Sequence, residues 1–117
     1  MEEKLLEILL SFGYGVYRQG SLPSSPESYP ESFFTFWNTS TVSHSHYDNN
    51  EYGTEVSYDV MFYGTDAENV YNTITAARKK LEENGWIIPS KEHDIASGII
   101  SHVCRAISVQ FLEIGGN

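Results

Sequence analysis

The residues of this chain best suited to chemistry stand in VSHSHYDNNEYGTEV, positions 42–56. His44, His46 and Asp48 read H-x-H-x-D, and on a strand that spacing puts all three side chains on one face. Two imidazoles and a carboxylate so placed could hold zinc, copper or iron. A mononuclear centre would need a further ligand or an open position, and the other histidines, His93 and His102, have no fixed spacing to the triplet. Asp48 also opens a run with Asn49, Asn50 and Gly53, and aspartate is favoured in turns for its local backbone bonds. Two readings therefore compete at this stretch: a metal-binding module or small metalloenzyme using His44, His46 and Asp48, and the polar, solvent-facing end of a hairpin. The turn residues favour the second.

Other chemical signals are sparse. The one cysteine, Cys104, cannot form an internal disulfide. His102 and Arg105 beside it would favour a thiolate, but its strand-like surroundings suit a small, half-buried residue. Gly13-Tyr14-Gly15 lacks the glycine and lysine spacing of a phosphate loop, and no G-x-S-x-G or H-E-x-x-H pattern occurs. No catalytic residue, no cofactor and no enzymatic activity are expected.

Sixteen acidic residues against seven basic ones give a formal charge of -9, which repels phosphate backbones and anionic membrane surfaces. Arg78, Lys79 and Lys80 form the one basic cluster, on a predicted helix, where a solvated face is the plain reading. No sequence-specific nucleic acid and no membrane is expected as a partner. An acidic protein that mimics DNA is a further class, but the acids here are spread over the first helix, a loop and the second helix instead of forming a strip. The opening MEEKLLEILL reads neither as a signal peptide nor as a membrane span, because two glutamates precede any lysine and Glu7 interrupts the apolar run. A cytoplasmic protein is expected.

The elements that must position these residues follow from periodicity. At 117 residues, 40% hydrophobic and 20% charged, the chain fits a single globular domain, 1–117. Leu5, Leu9 and Phe12 share a stripe of a helix over 2–12 that Gly13 ends, and Val16 and Tyr17 between glycines suit a short strand. A surface loop over 21–32 holds three of the four prolines. From Phe33 to about Tyr47 the chain is aromatic and β-branched, and over 54–65 it alternates, with Val56, Tyr58, Val60 and Phe62 on one face. These segments make a long hairpin; a turn centred near Asn49 pairs Phe36 with Phe62, Asn38 with Val60, Ser40 with Tyr58 and Val42 with Val56. Thr65-Asp66-Ala67-Glu68 matches a capping box, and Val70, Ile74, Ala77 and Leu81 follow at helical spacing to Asn84-Gly85. WIIP at 86–89 reads as a short extended piece and 90–100 as an irregular connection, before a last strand over 101–113. The order α-β-β-β-α-β predicts an α+β domain: a mainly antiparallel sheet of about four strands with two helices packed on one face.

Aromatic content is 14%, with eight tyrosines. Phe33, Trp37 and Tyr47 fall on one face of the first long strand and Phe34 and Phe36 on the other. A strand apolar on both faces is buried between layers or meets another chain. Phe34, Phe36, Trp37, His44, His46, Tyr47 and Tyr52 are the candidate subunit-contact residues.

GVYRQGSL at 15–22, YPESFFTFWN at 29–38, YDNNEY at 47–52, FYGTD at 62–66, the GW that ends the second helix and HDIASG at 93–98 together resemble a family of small tail components of tailed phages and of prophages of Gram-positive bacteria. In element order the chain is similar to the tail-terminator and head-tail joining group, whose members form rings, typically hexameric, at the head-proximal end of the tail tube. The resemblance covers nearly the whole chain. It implies a non-enzymatic tail-terminator-like or tail-completion subunit, a homo-oligomer whose partners are the tail tube and head-tail connector proteins. Such a protein works in the host bacterial cytoplasm during assembly and then in the virion tail. That family has no active-site motif to carry over. An acidic lumen would let DNA slide without sticking.

Overall fold

A computed structural model describes residues 2–18, 30–45, 52–96 and 101–115. The elements run α1 Glu2–Leu10, β1 Gly15–Arg18, β2 Ser32–Ser45, β3 Tyr52–Gly64, α2 Ala67–Glu83, β4 Ile87–Ile95 and β5 Val103–Gly115. The domain is α+β, as expected. Among the described residues the sheet has five strands in the order β1-β2-β3-β5-β4, one more than the sequence suggests. It is also mixed: β1 runs parallel to β2, from Gly15 beside Phe33 to Arg18 beside Phe36, while the other neighbours are antiparallel.

The added strand is β4, where sequence reading places a short extended piece and an irregular connection. Its ladder to β5 shifts register between Ile87 and Ser90 and again between Ser90 and His93. Those irregularities erase the two-residue alternation, and Pro89 is tolerated because an edge strand can leave one backbone position unbonded. Of the proline-rich loop, residues 21–29 lie outside the described residues.

Helix α2 forms where its apolar spacing says it should. Val70, Ile74, Ala77 and Leu81 are all essentially buried, and Gly85 ends the helix at φ 91°, a conformation that a side chain would strain. The cap differs from the expected threonine. Asp66 accepts a hydrogen bond from the Glu68 N–H at 3.1 Å, and the Thr65 hydroxyl donates to Glu31 at 3.2 Å instead. Aspartate caps at least as well as threonine, so the helix starts one residue later. The first helix likewise closes at Leu10, short of Phe12.

Both helices pack on one face of the sheet. Leu5 and Leu9 of α1 and the stripe of α2 meet Phe34, Phe36, Val56, Tyr58, Val60, Phe62, Ile107 and Val109. Phe62 lies at the middle of the aromatic packing, with its ring centroid 4.6 Å from Phe34 and 4.9 Å from Tyr14. Each such side chain contributes about 1.5–3 kcal/mol when withdrawn from water. The opposite face has a smaller cluster of Met61, Cys104 and Ala106 against Tyr63 and Ile95. At the base of β2 that face is closed within the chain. Phe33 is fully buried, stacked on Tyr63 at 4.9 Å and flanked by Tyr17 and His102.

The hairpin forms, in a different register from the expected one. Phe34 pairs with Phe62, Phe36 with Val60 and Asn38 with Tyr58, two residues from expectation and therefore of the same facing. A bulge between Asn38 and Ser40 then shifts the ladder by one, so Thr41 meets Val56 and Val42 meets Glu55. One extra residue reverses the facing of everything beyond it. Val42 accordingly points away from the helices and is 44% exposed.

Candidate functional site

His44 is set in β2 with its backbone across from Gly53; its side chain, and the whole of His46 and Asp48, lie outside the described residues. Among the described residues no group of three or more His, Cys, Asp or Glu is placed to hold a metal ion. His93 is exposed, while His102 is buried, with Nε2 3.0 Å from the Pro30 carbonyl and Nδ1 2.8 Å from the Ser101 hydroxyl. The nitrogens of His102 are thus engaged by its own neighbourhood.

A cleft of about 420 Å³ opens between the start of α2 and the β4–β5 edge, lined by Ala67, Val70, Asp94, His102, Cys104 and Arg105 among others. Its charged groups are partnered. Arg105 donates to Asp94 at 2.6 Å and to the Glu92 carbonyl at 3.1 Å, and its guanidinium lies 4.9 Å from the Tyr71 ring centre. Burial pushes the Cys104 thiol up to about 12, against a lowering hydrogen bond with Tyr63. A thiol so protonated at neutral pH is a packing residue and not a nucleophile.

Two residues of the basic cluster of α2, Arg78 and Lys80, are engaged inside the chain, and Lys79 is exposed. Arg78 bonds Glu92 at 2.7 Å and Glu82 at 2.8 Å; Lys80 reaches the Ser11 hydroxyl and lies 5.5 Å from the Phe12 ring centre. Burial alone would raise the Glu92 carboxyl. Its own backbone N–H, the Arg78 guanidinium and the Thr75 hydroxyl outweigh that and hold it below the ordinary value.

The contact candidates divide by face. Phe34 and Phe36 belong to the core, at 0% and 3% exposure, because the helices cover the face they point to; neither is available to a partner. The side chain of Tyr52, like Tyr47 and His46, lies outside the described residues. Trp37 is on the far face and 45% exposed. Its indole N–H donates to Asp59 Oδ2 at 3.3 Å, and the Ser108 hydroxyl donates to Asp59 Oδ1 at 2.9 Å. Trp37, Asp59 and Ser108 sit side by side on β2, β3 and β5. The row escapes sequence reading because its members lie 22 and 49 residues apart; the one local sign is Asp59 on the polar row of its strand.

Beyond this row the sheet narrows to a three-stranded ribbon. β1 accompanies β2 only as far as Phe36, and β4 accompanies β5 no farther than Gln110. The ribbon of β2, β3 and β5 continues to Ser45, Tyr52 and Gly115. Core residues on β3 stop at Val56. The molecule is correspondingly long, 54 × 27 × 23 Å, with a radius of gyration of 15.7 Å where a compact domain of this length would have about 13 Å.

This surface offers exposed aromatic and aliphatic side chains, a bonded carboxylate, and strand edges. No helix among the described residues is long and apolar enough to cross a membrane. The chain matches no model of a known protein family and no curated protein.

Proposed function

We propose that this chain is a structural subunit of a tailed phage or prophage, tail-terminator-like or tail-completion in type, that assembles as a homo-oligomeric ring on the head-proximal end of the tail tube. The ring stops growth of the tube and offers a surface to the head-tail connector. The observation that carries this reading is the ribbon that runs past both flanking strands. A domain that needs only its own core gains nothing from strands extended beyond that core; strands that project with apolar side chains exposed are suited to meeting another chain. Among the described residues, the exposed large apolar side chains of the ribbon and its root are those of Trp37, Val42 and Leu112. The formal charge of -9 supports the reading a second way, since a lumen that passes DNA must not bind it.

The test is assembly itself. Purified protein, alone at high concentration and mixed with polymerising tail-tube protein, is followed by light scattering after size exclusion and by electron microscopy of tube ends. Rings, or tubes of limited length with a cap at one end, are expected. A protein that stays monomeric in both settings and leaves tube length unchanged refutes the reading.

A further inference from the structure

The ribbon has two edges, and both end in backbone that no described strand pairs. On one side this is β2 from Trp37 to Ser45, and on the other β5 from Phe111 to Gly115. Soluble proteins usually blunt such edges with charge or proline, since an open row of N–H and C=O groups invites another strand. Ser32–Ser45, SFFTFWNTSTVSHS, contains no Asp, Glu, Lys, Arg or Pro along its whole length. This edge is left fit for pairing.

Two details say what would pair with it. β2 and β5 are each antiparallel to β3, so they run in the same direction. Rotation about an axis along the ribbon keeps that direction and brings the β5 edge of one copy beside the β2 edge of the next. That is a head-to-tail contact, the kind that builds a ring when its rotation closes. The exposed apolar residues also match. Val42 faces Glu55, and Glu55 faces Leu112, so all three lie on one row and on the face away from the helices. Val42 is 44% exposed at one end of the row and Leu112 48% exposed at the other. A second copy set beside the first continues the row and covers each with the other.

Resting on the ring reading above, we infer that copies of this chain join by strand addition, with Phe111–Gly115 of one copy running parallel to the outer edge of Trp37–Ser45 of the next, so that the ribbons merge into one continuous sheet around the ring. Backbone bonds supply the contact and the pairing of Leu112 with Val42 supplies its register.

Cysteine crosslinking tests this. Neighbouring strands lie about 4.8 Å apart, within the Cα separation of roughly 4.4–6.8 Å that a disulfide spans. The assembled species, rings or capped tubes, is oxidised in a Cys104→Ala background. The Val42→Cys/Leu112→Cys double variant should give a ladder of covalent multimers, an equimolar mixture of the two single variants should give dimers, and each single variant alone should give neither. Ser40→Cys in place of Val42→Cys detects the same contact displaced by two residues and counts equally in support. Val42→Lys should shift the assembled species to monomer with an unchanged melting temperature. Rings or capped tubes that form no Leu112 crosslink, or in which Val42→Cys pairs with itself, overturn the strand contact and leave the ring standing. Absence of any assembled species overturns the ring, and the strand contact falls with it.

Discussion

Phe36 and Trp37 are adjacent, both aromatic, and opposite in fate, which makes them a test of how the sheet is layered. Phe36 is 3% exposed beneath the helices with its ring 6.3 Å from Tyr58, whereas Trp37 is 45% exposed on the far face. Phe36→Ala loses a full aromatic burial and leaves a cavity, a cost of about 3–5 kcal/mol. A domain of this length has a total stability of about 6–18 kcal/mol. At about 4 °C per kcal/mol the melting temperature should fall by about 12–20 °C. Trp37→Ala gives up partial burial and one long, exposed hydrogen bond to Asp59, about 1–2 kcal/mol in all. Urea unfolding followed by circular dichroism measures both, and equal slopes would show that the unfolded states are comparable. Tube-capping should show the reverse order: Phe36→Leu, which keeps the core filled, should retain activity that Trp37→Ala loses. If Trp37→Ala costs as much stability as Phe36→Ala, or if Phe36→Ala costs under about 1.5 kcal/mol, the assignment of faces is wrong.

Three further outcomes follow from contacts already described. Gly64→Ala should destabilise by about 1–3 kcal/mol by thermal melt, because the new Cβ would lie 2.7 Å from Val70 Cγ2 at the join of β3 and α2. Glu92→Gln should cost about 1–2 kcal/mol at neutral pH, since it removes the more buried of the two carboxylates that pair with Arg78 and leaves only the exposed Glu82. Glu92 is held below the ordinary value of 4.5, so its contribution is present above that pH and is lost as the pH falls through the folded value; wild type and variant should converge in acid. Cys104 should resist alkylation at pH 8 in the native protein by at least about 100-fold relative to the protein in urea. Its thiol rises from 9.0 to about 12 on folding, so the associated stability is full below pH 9 and declines as the pH climbs toward 12. Rapid native labelling, or a flat stability profile through that window, would contradict the burial of Cys104.

Much of the fold is legible in local pattern. The spacing of Val70, Ile74, Ala77 and Leu81 describes one side of a helix, and all four are buried. The alternation of Val56, Tyr58, Val60 and Phe62 describes one side of a strand, and all four join the core under the helices. These signals can be read because burial of one face repeats with the period of the element that carries it. Two facts about β4 hide it from the same reading: its ladder is broken twice, and it begins around a proline.

Other features depend on residues that no local pattern connects. The bulge between Asn38 and Ser40 turns Val42 outward, and nothing in FWNTSTVS marks it, because register is set by which side chains the opposite strand can pack. The parallel pairing of β1 with β2 leaves no trace in either strand. Phe34, Phe36 and Trp37 look alike as contact candidates; the helices then cover two and leave the third exposed. H-x-H-x-D likewise states that three ligands share a face but not that anything converges on them.

By itself, then, the sequence determined the class, the helices, the long hairpin and the acidic surface, all of which arise from composition or from periods of a few residues. The tertiary structure alone decided which aromatic residues are core, that Trp37, Asp59 and Ser108 form a row, and that β2 and β5 outrun their flanking strands. Those outcomes rest on strands far apart in the chain coming into register, and the free energy that selects a register belongs to the assembled sheet and to none of its strands.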